Sequence, residues 1–116
     1  MSESNELFIN VNYIKHKVES LEKIQLFFLR SNKGVYDYYL NELKTDNLLL
    51  SVYKSIDGIK SQKEIAEQVG TTAMSVTNKV KKLVEIGLIE IKNVCKKGNI
   101  YKHTVAEQAF KFSKLS

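Results

Sequence analysis

Residues 61–89 run Ser-Gln-Lys-Glu-Ile-Ala-Glu-Gln-Val-Gly-Thr-Thr-Ala-Met-Ser-Val-Thr-Asn-Lys-Val-Lys-Lys-Leu-Val-Glu-Ile-Gly-Leu-Ile, and few folds accept so short a helix followed so closely by another. Ser61 and Glu64 have the S-x-x-E spacing of a capping box, which satisfies the orphan N–H groups at a helix start. Ile65, Ala66 and Val69 then fall on one helical face, and Gly70 stands where a helix needs a left-handed residue to stop. Thr71 and Thr72 supply hydroxyls to cap what comes next. In the second helix a period of about 100° per residue puts Ala73, Val76, Val80, Leu83 and Val84 inward. Met74, Ser75, Asn78, Lys81 and Lys82 then point outward. Two helices this short with so tight a turn form a helix-turn-helix, and small Ala66 lets them cross at close range.

After Gly87 the period changes from 3.6 to 2. Leu88 to Val94 and Ile100 to Val105 read as two strands joined around Cys95-Lys96-Lys97-Gly98-Asn99, a hairpin or wing with Lys96 and Lys97 at its tip and Lys102 on the return strand. Upstream, Thr45 or Asp46 can cap a helix with Leu48, Leu49, Val52, Tyr53 and Ile56 on its inner face, before Asp57-Gly58 turns the chain. Ile59 is placed to add a short third strand against the wing. Thr104 and Glu107 repeat the capping-box spacing and start a last helix through Phe110. The fold class expected is mainly α with a small β-hairpin wing (α+β), a winged helix-turn-helix preceded by a long N-terminal helix. Residues 1–44 form a helical dimerisation region and 45–116 the winged domain.

Glu64-Ile65-Ala66, Val69-Gly70, Ser75-Val76, Val80, Leu83 and Gly87-Leu88-Ile89 resemble the winged helix-turn-helix of bacterial transcription regulators, nearest the cyclic-AMP receptor/FNR superfamily and also the MarR and ArsR types. The resemblance covers about residues 59 to 105. It implies a recognition helix over about 72–86 in the major groove of double-stranded DNA, and a wing over about 88–105 on the backbone or minor groove. The DNA-binding residues would be Thr72, Met74, Ser75, Asn78, Lys79, Lys81, Lys82, Lys96, Lys97, Asn99 and Lys102. The receptor family commonly has arginine and glutamate near the start of this helix and arginine a turn later; this chain has Ala73, Met74 and Asn78. Neither a β-barrel sensor nor a C-terminal dimerisation helix of the MarR kind is expected.

Charge is distributed unevenly. Residues 1–58 hold seven bases and eight acids, 59–104 nine bases and four acids, and 105–116 two bases and one acid. The positive excess therefore sits on the helix-turn-helix and wing, as for a nucleic-acid footprint, although a lysine-rich solvated surface would give the same count. Seventeen of the eighteen bases are lysine, a bias typical of AT-rich bacterial genomes. Arg30 lies outside the basic stretch, so base reading falls to Asn78, Ser75, Thr72 and the lysines.

Leu7, Val11, Ile14, Val18, Leu21, Gln25 and Phe28 recur at spacings of four and three, an a/d seam over three heptads with one polar member. Two readings stand: a helix that pairs with its symmetry mate, and an amphipathic helix lying on its own domain. The first makes the chain a homodimer with that seam as interface. Ser31-Asn32-Lys33-Gly34 ends the helix, and Val35 to Lys44 begins another with Val35, Tyr39, Leu40 and Leu43 on one side. Tyr36, Tyr38 and Tyr39 read as core or interface.

Longer apolar runs such as Leu26-Phe27-Phe28-Leu29 fall far short of the ~20 residues a membrane span needs, and no basic leader precedes them. A cytoplasmic protein is expected, in keeping with a lone cysteine, Cys95. No cofactor is expected. Cys95 and His103 make too few ligands for zinc, and no phosphate-binding or nucleophile motif is present, so an enzyme is not expected. The function predicted is a homodimeric, sequence-specific DNA-binding transcriptional regulator. The alternative is a winged-helix adaptor that docks a protein without reading DNA, for which exposed Met74 would serve as an apolar contact.

Overall fold

In the computed structural model five helices begin at a short polar side chain that accepts a backbone N–H. The structure describes residues 3–96 and 98–115, with side chains from Lys15 onward. Helix α1 spans Glu3–Ser31, and a single residue, Asn32, separates it from α2, Lys33–Lys44. The Asn32 carboxamide oxygen accepts from Val35 N at 3.1 Å, so Lys33 is already helical and the four-residue connection read from the sequence shrinks to one. Asp46 caps α3, Asn47–Ser55, through Leu49 N at 3.0 Å. Ser61 and Glu64 complete the reciprocal box at the start of α4, Gln62–Val69. Thr72 caps α5, Ala73–Glu85, through Ser75 N at 3.1 Å. Between them Gly70 takes φ 81°, and its N–H and that of Thr71 both return to Ala66 O.

Strands β1, Ile89–Asn93, and β2, Ile100–His103, pair antiparallel with Ile89 opposite His103 and Ile91 opposite Tyr101. The register slips between Ile91 and Asn93, leaving Lys92 as the extra residue of a bulge. Its ammonium donates to Gly58 O at 3.0 Å. Through that side chain, rather than through a third strand, the turn before α4 meets the wing. Ile59, expected in a strand, is exposed and outside the sheet, which has two strands among the described residues.

Leu43 of α2, Leu49, Val52 and Tyr53 of α3, Ile65 and Ala66 of α4, Val76, Val80 and Leu83 of α5, and Leu88 and Ile89 at the wing base close one core. Two residues of the expected inward stripe of α5 lie outside it: Ala73 is exposed, and Val84 is 40% exposed. Helix α6, Val105–Phe110, and a 3-10 turn, Phe112–Lys114, then fold back over the body. Buried Phe112 stacks on Tyr36 and meets Tyr39 and Phe110 edge-on or tilted, so Tyr36 and Tyr39, partly buried, pack against the core while Tyr38 is exposed.

Thr104 caps α6, but the expected capping box does not form. Its N–H donates to Leu88 O, and Glu107 instead accepts from the Tyr53 hydroxyl at 2.6 Å, from Ser113 N at 3.0 Å and from the Ser113 hydroxyl. Of the predicted seam, Val18, Leu21, Gln25 and Phe28 are exposed, while the side chains of Leu7, Val11 and Ile14 lie outside the described residues. Lys97 lies outside them as well.

Candidate nucleic-acid interface

The burial of Val76, Val80 and Leu83 fixes which way α5 turns. Met74, Asn78 and Lys81 occupy the opposite arc, with Thr77 at its edge, and all four are exposed, Met74 by 76%; Ala73, in the first turn, is exposed as well. Asn78 has no side-chain hydrogen bond among the described residues, so its amide remains available to a base edge. Thr72 and Ser75, also expected to read bases, have the helix cap as their first duty: the Thr72 hydroxyl donates to Ser75 Oγ at 2.9 Å while accepting from Ser75 N. Ser75 is half-buried in consequence.

Sequence reasoning passed over Thr77 and Gln62. The Thr77 hydroxyl donates to Gln62 Oε1 at 2.6 Å, and the Gln62 amide reaches the Tyr101 hydroxyl at 3.5 Å. These three side chains tie the exposed arc of α5 to the first residue of α4 and to strand β2. The signal available was position: Thr77 comes three residues after Met74 and four before Lys81, on the same helical face.

The lysines divide into two sets. Lys79 Nζ lies 2.6 Å from Asp46 Oδ2, and Lys82 Nζ 2.8 Å from Glu42 Oε2, on the flank of α5 that faces α2 and the start of α3. Burial opposes ionisation of Asp46, but the Lys79 ammonium and Leu49 N–H outweigh it and hold its pKa below the ordinary range. The Lys82 ammonium is correspondingly raised, chiefly by its hydrogen bond to Glu42. In contrast, Lys63, Lys81 and Lys96 are exposed and carry no ion pair among the described residues. On the wing Lys102 lies 3.3 Å from Glu90, its cross-strand partner, with both side chains about half exposed. Asn99 is half-buried and Cys95 exposed.

His103, the other candidate ligand in sequence, is turned to the core: its Nε2 is 2.8 Å from Tyr53 O, and its ring lies 4.3 Å from that of Tyr53. Among the described residues no group of three or more metal-ligating side chains occurs, and no helix is long and apolar enough to cross a membrane. A cleft of about 760 Å³ opens between α1 and the wing base, lined among others by Gln25, Phe28, Tyr39, Lys102 and Thr104.

Residues 40–90 match the model of a family described as winged helix-turn-helix DNA-binding. Over 99% of this chain and 74% of the other, the fold is similar to that of a multiple antibiotic-resistance repressor (MarR) from Listeria monocytogenes, with TM-score 0.52 and 17% identity. The likeness to a MarR structure thus extends over the N-terminal helix, beyond the stretch on which the sequence resemblance rested. No curated protein matches the chain.

Proposed function

We propose that the chain, whose residues 40–90 match a winged helix-turn-helix DNA-binding model, is a transcription regulator that acts as a homodimer on specific sites in double-stranded DNA. In this reading α5 enters the major groove with Thr72, Met74, Ser75 and Asn78 toward the bases. Lys81, the wing lysines Lys96, Lys97 and Lys102, and Asn99 approach the backbone. The observation that carries it is the exposed arc of α5, polar apart from Met74, joined through Thr77, Gln62 and Tyr101 to the wing.

Asn78 is the residue expected to discriminate, because one amide donates and accepts together as adenine N6 and N7 require. The test begins with selection of bound fragments from genomic DNA by the purified protein. Titrations of Asn78→Ala then follow on the selected site and on random duplex, at one salt concentration. A loss of about 1–3 kcal/mol on the selected site, with little on random DNA, is expected.

A second reading, a protein docked on the same helix, draws on the acids Glu42 and Asp46 that interrupt the positive flank and on exposed Met74. It would replace the first if Asn78→Ala left both DNA affinities unchanged while abolishing binding of a partner protein.

A further inference from the structure

We infer that Glu42 and Asp46 are internal counter-anions: they hold Lys79 and Lys82 off the DNA backbone and so restrain sequence-independent binding. The inference rests on the DNA reading above and adds to it a determinant of specificity outside the contact face.

An α-helix with its side chains is about 10–12 Å across and the major groove about 12 Å wide, so the flanks of an inserted helix face the phosphate walls. Lys82 sits four residues after Asn78, at the edge of the exposed arc, and Lys79 lies beyond it on the same flank. Both ammonium groups are spoken for by carboxylates at 2.6–2.8 Å. The carboxylates come from the end of α2 and the cap of α3, which the core holds in place through Leu43, Leu49 and Val52. Asp46 is fixed twice over, since its other oxygen accepts from Leu49 N. On the same flank the Tyr39 hydroxyl donates to Ile86 O at 2.6 Å, so three residues of one segment grip one side of the recognition helix.

Non-specific affinity for duplex DNA follows the number of phosphates neutralised. Two lysines on a recognition helix would add to that number without adding sequence information. With their charge already balanced, the exposed arc is left to Asn78 and Lys81. The side chains of the two pairs are between 24 and 44% exposed, so each is worth little in isolation and its main effect is on what the lysines can reach.

The double variant Glu42→Gln, Asp46→Asn removes both charges and keeps both shapes. Asn at position 46 still offers the oxygen that caps α3. Its affinity for a random duplex is expected to rise by severalfold to about thirtyfold, and the log-log salt dependence to steepen by about one to two units per chain. Adding Lys79→Met and Lys82→Met should return the slope to that of the wild type. Glu42→Gln alone, which touches no cap, serves if the double variant melts early. A folded variant with unchanged or weaker random-duplex binding and an unchanged slope overturns the inference while leaving the DNA reading intact. Failure of the wild type to bind any duplex at low salt overturns both.

Discussion

Glu107 stands three residues after Thr104, as Glu64 stands after Ser61, and the same letters give two different contacts. Ser61 N has the Glu64 carboxylate as its acceptor at 3.2 Å. Thr104 N already donates to Leu88 O at the wing base, so Glu107 is released to accept from Tyr53 and Ser113. A capping-box spacing says which donor needs an acceptor; it does not say whether a residue distant in sequence has already supplied one. Burial works against the Glu107 carboxylate, but Ser113 and Tyr53 outweigh it and bring its pKa below the ordinary value near 4.5. A depressed carboxylate pKa adds stability that is present above the unfolded-state value and is lost as pH falls through the folded one. Glu107→Gln should therefore cost about 1 kcal/mol at pH 7, and the difference from wild type should close on acidification through about pH 4 and below. Thermal melts of the two proteins at a series of pH values would check it, and a gap that widens on acidification would refute the assignment.

At the scale of single elements, starts and stops were legible because their chemistry is local. Ser61 caps the helix it was expected to cap, Asp46 and Thr72 are the members of the pairs Thr45/Asp46 and Thr71/Thr72 that cap theirs, and Gly70 takes the left-handed turn between α4 and α5. Gly70→Ala meets nothing around its Cβ, so its expected cost of roughly 1–2 kcal/mol is one of backbone conformation alone. Chemical denaturation, with the midpoint shifted and the slope unchanged, would show it.

The width of a buried face was less legible, because neighbours set it. Periodicity placed Ala73 and Val84 in the stripe of α5, yet the neighbours cover only Val76, Val80 and Leu83. Leu83→Ala should cost about 2–5 kcal/mol and Val84→Ala less than about 1 kcal/mol. Equal losses in urea titrations would mean that α5 is rotated about its axis. Charge counted along the chain likewise says nothing of which charges are paired in space. Three lysines of the basic stretch, Lys60, Lys79 and Lys82, meet acids that precede residue 59, namely Asp57, Asp46 and Glu42. Hydrogen bonds from Lys60 hold the Asp57 carboxylate at about 2. Among the described residues the unpaired lysines of the candidate interface are thus fewer than the composition implied, with Lys81 on α5 and Lys96 on the wing among them.

For the whole molecule the largest exposed apolar residues gather on α1. Its 29 residues rise about 44 Å at 1.5 Å each, against a longest molecular extent of 58 Å. Leu29, near its end, packs on the core. Val18, Leu21, Ile24, Phe27 and Phe28 are exposed, Leu21 by 57% and Phe27 by 75%. That apolar arc includes Ile24 and Phe27, which the heptad reading left out, and it is wider than a two-stranded seam needs. A second copy of α1 suits the a/d spacing, and the cleft whose walls include Gln25 and Phe28 offers the partner a place beside the body. The protein should therefore sediment as a dimer at micromolar concentration. Leu21→Asp puts an unpaired carboxylate in each half of the interface, at a desolvation cost that a modest helical contact cannot meet, and should give monomer. The same substitution on a helix exposed in the isolated chain should leave the melting of the winged domain nearly unchanged. Circular dichroism beside sedimentation separates the two effects: a variant that remains dimeric, or a wild type that sediments as monomer, removes α1 from the interface.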